Sequence, residues 1–395
     1  MKRWRIAFVV PRYGEEILGG AEALARGLAE QLVATGLADA QILTTCVRNH
    51  ITWENELPPG ETLVNGIPVL RFPMTWTRED ETRYHALHWR LIQGELLPVD
   101  EQYEWVNTSP HSPQLCAYVQ AQGITFDFIF FIPYLFGTTY YGSAIYPARS
   151  ILWPCLHDEL YAYLRPTRDV YRACRGVMFN SYPESRLAHR LYGAHPGSQV
   201  VGFGFSPIEP NGARFREQSG IREPFILYSG RMEGAKNVPL LIQNFIAYKR
   251  RRRKALKLVL MGSGPEEIPK HPDIVRLGFK QRQEKLDVYA AAALLCQPSV
   301  NESFSIVIME SWQCGVPILA HANCEVTRYH VVQSNGVLYF RDYEEFESIL
   351  DLLLGDESLR QRLGANGKKY VETQYNWESM LRRFQAALES WKEPR

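Results

Sequence analysis

The sequence predicts an α/β chain built from two doubly wound, mostly parallel sheets, and three observations carry that reading. Short apolar runs rich in β-branched and aromatic residues alternate with longer stretches of helical spacing, as expected of parallel strands covered on both faces. The 395 residues, 46% hydrophobic and 22% charged, suffice for two cores. A break near residues 206–224, "PIEPNGARFREQSGIREP", is rich in Pro, Gly and charge and reads as a linker between them.

Before the break the strand candidates are "RIAFVV", "QILTTCV", "FDFIFF", "SILWPCL", "GVMFNS" and "QVVGFGF"; the first helix is "AEALARGLAEQLVATG". After it come "FILYSG", "KLVLMG", "IVRLGF", "LLCQPS", "PILAH" and "GVLYF", with helices in "VPLLIQNFIAYKRRRRK" and "QEKLDVYAAAA". The expected domains are therefore 1–205 and 206–376. Residues 74–122 fit the alternation badly. They read as an insertion, helical in part, whose many aromatic residues serve either packing or an acceptor surface.

Composition narrows the function. A net charge of +1 favours no nucleic-acid role. Seven scattered cysteines without a CxxC read as reduced thiols rather than a disulfide framework or a zinc site. The start "MKRWRIAFVVPRYG" lacks the long apolar core of a signal peptide, and "FDFIFFIPYLFG" is too short to cross a bilayer. A cytoplasmic protein is expected. The run "YKRRRRK" ends a predicted helix; it reads as a solvated last turn favoured by the helix dipole, or as a patch for anionic lipid at the inner membrane face. "GSGPEE" at 262–267 has Glu267 where a dinucleotide fingerprint needs its third glycine, so it reads as a turn after a strand.

The chemistry-bearing stretch is "NESFSIVIMESWQCGVP", 301–317, which sets Glu302 and Glu310 in a segment otherwise suited to burial. Glu302 should lie in a strand-to-helix loop at the carboxyl end of the sheet. Ser303 or Ser305 should cap the helix, and Glu310 should sit some two turns inside it. Two readings compete: the carboxylates border a hydroxyl-rich ligand, or Glu310 pairs with a basic residue while Glu302 is solvated. In "SGRMEGAKN", a turn at Gly230 followed by Arg231 and Lys236 puts two cations at the same end of the same sheet, matching a diphosphate's charge. In the first domain, Gly19 and Gly20 allow close backbone approach at a helix start, and His157 and Asp158 follow a buried strand.

Taken together, "GGAE", "HDE", "FNS", "SGRMEGAKN", "GSGP", "LGF" and the Glu-x7-Glu segment resemble the GT-B glycosyltransferases, in particular the large retaining family 4. The resemblance implies two Rossmann-like domains facing each other across a cleft, with the amphipathic segment 377–395 returning to the first. It implies a retaining transferase that moves a hexose from a nucleoside-diphosphate sugar, a UDP-sugar by family frequency. The acceptor would be a saccharide or lipid-linked saccharide in exopolysaccharide or cell-surface glycan synthesis. A sugar-nucleotide epimerase, a phosphorylase and a catalytically silent binding protein are the alternatives.

Carried over residue by residue, Arg231 and Lys236 would hold the diphosphate, Glu302 the sugar hydroxyls and Glu310 the ribose. The backbone at Gly230, Ser303, Phe304 and Ser305 would meet phosphate and sugar, and Phe279 and Lys280 would flank the base. Gly19 and Gly20 would face phosphate, and His157 the sugar. Ser303 and Ser305 stand where the family commonly has glycine. The sequence contains no DxD, so neither a metal site nor any cofactor is expected.

Overall fold

The computed structural model describes residues 3–17 and 19–392. The chain divides into two compact units, one running to Gly204 and resuming at Met380, the other spanning Phe205–Ser379.

The first unit is built on an eight-stranded sheet. Its strands are β1 (Trp4–Val9), β2 (Ala38–Thr45), β3 (Gly60–Val64), β4 (Ile67–Phe72), β5 (Phe128–Phe131), β6 (Ser150–Leu152), β7 (Gly176–Phe179) and β8 (Ser198–Val200). The order is β3-β4-β2-β1-β5-β6-β7-β8, and only β3 runs antiparallel to its neighbour. Ile6, Phe8, Ile42, Phe130 and Val177 are fully buried, which is why these strands read as unbroken apolar runs. The β3–β4 hairpin is absent from the strands expected above. Its signal was present as Asn65-Gly66, whose φ values of 49° and 76° make the tight turn that joins twisted antiparallel strands.

Residues 74–122 hold three helices, Arg78–Ile92, Val99–Asn107 and Pro113–Gln122. Leu87, Leu91, Leu97, Trp105 and Val106 form their shared core. The aromatic residues pack inward in a ladder: Tyr84 stacks on Trp105 at 5.4 Å, and Trp105 on Tyr161 at 5.2 Å. Packing is therefore what most of these rings do.

The second unit has six parallel strands, β9 (Phe225–Ser229), β10 (Lys257–Met261), β11 (Ile274–Gly278), β12 (Leu294–Gln297), β13 (Ile318–His321) and β14 (Val337–Phe340), in the order β11-β10-β9-β12-β13-β14. The chain leaves β9 in one direction through β10 and β11, then returns to start β12 on the other side of β9. In open sheets of this topology, ligands bind at such a switch, beyond the carboxyl ends of the strands, here β9 and β12.

The helix Trp377–Ser390 buries Met380, Phe384, Ala387 and Leu388. Phe384 stacks on Phe130 at 5.5 Å, and the Arg383 guanidinium donates to the carbonyl of Val201 at 2.8 Å, so its amphipathic face completes the first unit. Residues 393–395, expected in this helix, lie outside the described part.

The basic run 249–254 is partly neutralised within its own unit, by Glu347, Asp351 and Asp273. Arg251 pairs with Glu347 at 2.9 Å, Arg252 and Lys254 with Asp351 at 2.8 and 2.7 Å, and Lys249 with Asp273 at 3.0 Å. Four of its six cations are thereby held by acidic partners, which favours the structural reading of that run over a lipid-binding patch. Among the described residues no helix is long and apolar enough to cross a membrane.

Candidate active site

The switch point of the second unit gathers much of the predicted set. β9 ends at Ser229, and Gly230 follows with φ 148°, a conformation that favours glycine. Glycine is required twice more beneath this turn. A Cβ on Gly262 would lie 2.0 Å from the Gly230 carbonyl oxygen, and one on Gly264 would lie 2.1 Å from that of Met232. The "GSGP" glycines thus let the β10 loop press against the loop carrying Arg231, a packing role with no dinucleotide in it. The Tyr228 hydroxyl donates to the carbonyl of Arg231 at 2.6 Å and fixes the turn from below.

Lys236 closes a single 3-10 turn, Gly234–Lys236, and Asn237, in the left-handed region at φ 58°, redirects the chain into the helix Val238–Arg251. The Asn237 amide donates to the carbonyl of Pro298 at 3.1 Å, tying the loop after β9 to the loop after β12. Across that tie the Lys236 ammonium donates to Glu302 Oε1 at 2.9 Å and to the carbonyl of Asn301 at 3.3 Å. Both side chains are mostly buried, 18% and 11% exposed, so the pair is shielded from solvent screening. Arg231 is different: half exposed, it pairs with Glu233 at 3.2 Å.

Glu302 is therefore ion-paired rather than solvated. Ser305 takes the N-cap position of the helix Ile306–Gln313 but makes no side-chain cap. Its hydroxyl instead accepts from Gln297 Nε2 at 3.0 Å, and its φ of 69° is left-handed. That conformation costs a non-glycine residue about 1–2 kcal/mol, and the hydrogen bond returns about 0.5–1.5 kcal/mol. Ser305→Gly is expected to leave the unfolding free energy within about 1 kcal/mol of wild type, as a denaturant titration would show. Ser305→Val keeps the strain and loses the bond, and should be clearly less stable.

Glu310 sits just over one turn into that helix, not two, because the helix begins only at Ile306. Its carboxylate accepts from the Lys285 ammonium at 2.6 Å and from the Tyr289 hydroxyl at 3.0 Å. Lys285 is the basic partner that one of the two readings expects of Glu310. Burial, then the facing Glu310 carboxylate, push the Tyr289 phenol well above its usual range and keep it a donor. Lys285, Tyr289 and Gln297 were not singled out above. The signal for the first two was their four-residue spacing, which puts both on one face of the helix Arg282–Ala291.

Phe304 is 3% exposed and packs edge-on against Tyr375 at 5.0 Å and His330 at 5.2 Å, anchoring the loop that presents Ser303 and Ser305. Burial depresses His330 from 6.5 to about 3, so it is neutral in the fold. Below pH 6.5 the unfolded chain takes up a proton that the native state refuses, so this residue's contribution is present above pH 6.5 and is lost progressively toward pH 3. Unfolding free energy should fall faster on acidification in wild type than in His330→Gln, which denaturant titrations at several pH values would reveal. Phe279 is more than half exposed after β11, and Lys280 pairs with Glu284 at 3.7 Å.

The remaining predicted residues belong to the first unit. Gly19 is the cap and Gly20 the first residue of the helix Gly20–Ala34. A Cβ on Gly19 would collide with the Glu22 carboxylate at 2.0 Å. His157 follows β6 in a loop held by buried Glu184, which accepts from the backbone amides of Leu156 and Asn180 at 2.6 Å each. Burial raises the Glu184 carboxyl to about 8 against the pull of those amides. His157 Nδ1 lies 3.8 Å from Glu159, and Asp158 is engaged by Arg190 at 2.8 Å and Tyr163 at 2.6 Å. No cluster of metal-ligating side chains occurs among the described residues.

Comparison with known proteins agrees with this fold. Residues 212–370 match the family described as "Glycosyl transferases group 1". The chain is 23% identical to an uncharacterized glycosyltransferase of Methanocaldococcus jannaschii over 96% of both chains. Its fold is similar to sucrose-phosphate synthase from Thermosynechococcus elongatus, with a TM-score of 0.73, 17% identity and coverage of 98% of this chain and 99% of that one. It is similar to the same degree, TM-score 0.73 with 16% identity, to Anabaena Alr3699/HepE solved in complex with UDP and glucose, over 98% of this chain and 100% of that one.

Proposed function

This chain is a glycosyltransferase of the GT-B type with a group 1 transferase domain, and on that basis we propose that it is a retaining hexosyltransferase using a UDP-sugar. The observation that carries the donor site is the coincidence, at one sheet switch point, of Lys236 on Glu302 and of Lys285 and Tyr289 on Glu310. A nucleoside-diphosphate sugar offers a dianionic diphosphate and two sets of hydroxyl donors. The site offers cations for the first and carboxylates for the second.

Lys236 then turns from Glu302 toward the diphosphate, and Arg231, half exposed, leaves Glu233 and joins it. Glu302 accepts from sugar hydroxyls and Glu310 from the ribose. Backbone from Gly230 and from Ser303 to Ser305 contacts phosphate and sugar, with Phe279 and Lys280 beside the base. As the sugar–phosphate bond breaks, negative charge grows on the departing diphosphate, and preplaced cations stabilise it without reorganisation. The acceptor hydroxyl adds on the face the diphosphate leaves and passes its proton to a phosphate oxygen. The anomeric configuration is thereby kept and no side chain need act as base. No metal ion is needed in this scheme.

The acceptor side of the proposal, a saccharide or lipid-linked saccharide in cell-surface glycan synthesis, draws support from a surface feature of the first unit. Trp89, Ile92, Leu96 and Val99 are all at least half exposed along one short stretch, with Leu96 at 94%. Apolar side chains exposed this close together in sequence suit contact with a lipid-linked acceptor.

A thermal-shift panel of nucleoside diphosphates and their sugars tests the reading. UDP and one UDP-hexose should raise the melting temperature in EDTA. Nuclear magnetic resonance of the product should show the donor's own anomeric configuration. An inverted product, or turnover of the donor to its epimer without acceptor, would refute it.

A further inference from the structure

Glu310 is not simply an acid beside a ligand: its two oxygens are already divided between two donors from one neighbouring helix. Lys285 Nζ binds Oε1 at 2.6 Å and the Tyr289 hydroxyl binds Oε2 at 3.0 Å. Their arrangement is itself fixed. Lys285 Nζ lies 5.9 Å from the centre of the Tyr289 ring, Tyr289 is fully buried, and Ser229 at the end of β9 interacts with its hydroxyl. The Lys285 side chain is 29% exposed and that of Glu310 18%, so neither is free to sweep through solvent.

A carboxylate has about four acceptor positions, two on each oxygen. One on each is taken, which leaves one acceptor position on each oxygen. Two oxygens of one carboxylate with an acceptor position each can take two adjacent hydroxyl donors. We infer that Lys285 and Tyr289 are positioning residues that hold Glu310 in the one orientation able to grip both hydroxyls of a ribose, and so make the site select ribonucleotides over 2′-deoxyribonucleotides. This deepens the donor-site reading above and rests on it.

The two residues act through Glu310 and touch no phosphate. Without Lys285 the carboxylate loses its charge partner in a poorly hydrated position and only the Tyr289 hydroxyl still fixes its rotation. Rotation removes the paired acceptors. The loss should therefore appear in ribose recognition and leave diphosphate recognition alone.

The test uses the full-length protein and isothermal titration with UDP, 2′-deoxy-UDP and inorganic pyrophosphate. Wild type should prefer UDP over 2′-deoxy-UDP by about tenfold or more, one charge-assisted hydrogen bond's worth. Lys285→Met should weaken UDP about tenfold, bring the two nucleotides to within about threefold of each other, and leave pyrophosphate binding unchanged. In turnover the donor KM should rise while kcat changes far less. Tyr289→Phe, which keeps the ring and removes only the hydroxyl, should shift the same selection by a smaller factor and serves as the test should Lys285→Met fail to fold. Equal weakening of UDP and pyrophosphate in either variant, or unchanged selection for the ribose 2′-hydroxyl, overturns the inference while leaving the transferase reading standing. A wild type that binds no nucleoside diphosphate overturns both.

Discussion

Lys236→Ala should lower kcat/KM for the donor by about a hundredfold to a thousandfold, the range for removing one preorganised group that stabilises developing negative charge. No other single change here should cost as much activity. The reason lies in where the ammonium sits: mostly buried, 2.9 Å from Glu302, on a loop fixed by Asn237 to the carbonyl of Pro298. The loop that carries it is fixed before any ligand arrives, so the ammonium has only to turn from Glu302 when the donor binds and is in place at the moment of bond cleavage.

The same variant removes Glu302's cation, which should lower the unfolding free energy by about 1–3 kcal/mol. The two effects separate in a double variant. Lys236→Met with Glu302→Gln removes the unpaired charge and should recover most of the stability while remaining inactive. Recovery of activity in that protein would deny Lys236 its proposed role.

Gly262→Ala should be among the most damaging single methyl groups in the second unit, because clash and backbone strain coincide there. The residue has φ 132°, and its Cβ would lie 2.0 Å from the Gly230 carbonyl oxygen. Neither atom is at the end of a flexible side chain, so backbone must move, at a cost of about 3 kcal/mol or more. In a unit of this size that corresponds to a fall of roughly 6–12 °C in melting temperature. The segment forced aside precedes Arg231, so donor affinity should fall as well. Gly278→Ala is the control. Its φ of 65° is also left-handed, but nothing lies within 4 Å of the added carbon, so only the conformational cost of about 1 kcal/mol applies. Differential scanning calorimetry of the two variants checks the contrast.

How far this molecule could be read from its sequence depended on how local each signal was. Every strand of the second sheet was visible, and for strands such as "KLVLM" and "LLCQ" the reason is that parallel strands buried on both faces announce themselves as apolar runs. The β3–β4 hairpin was not, since β3 is largely exposed and carries little apolar signal, and only Asn65-Gly66 marked it. Glu302 and Glu310 stood out because charge in a segment fit for burial demands an explanation. Lys285 and Tyr289 did not, because an exposed-looking lysine on an amphipathic helix is ordinary until its partner 25 residues away is known. The Ser305 hydroxyl was expected to cap a helix. It binds Gln297 instead because a left-handed residue at the cap points its side chain back toward β12. The glycines of "GSGP" were legible as a turn, but their reason, backbone pressed on backbone at Gly230 and Met232, is a tertiary fact.

Calorimetric titration of UDP into the protein in EDTA addresses the central claim most directly. Side chains at the β9–β12 switch point should grip the diphosphate and ribose with no bridging ion. Binding should persist in EDTA, fall about tenfold or more in Lys236→Ala and in Glu310→Gln, and be unchanged by added magnesium. Binding that requires magnesium, or that both variants retain at wild-type strength, would contradict the account.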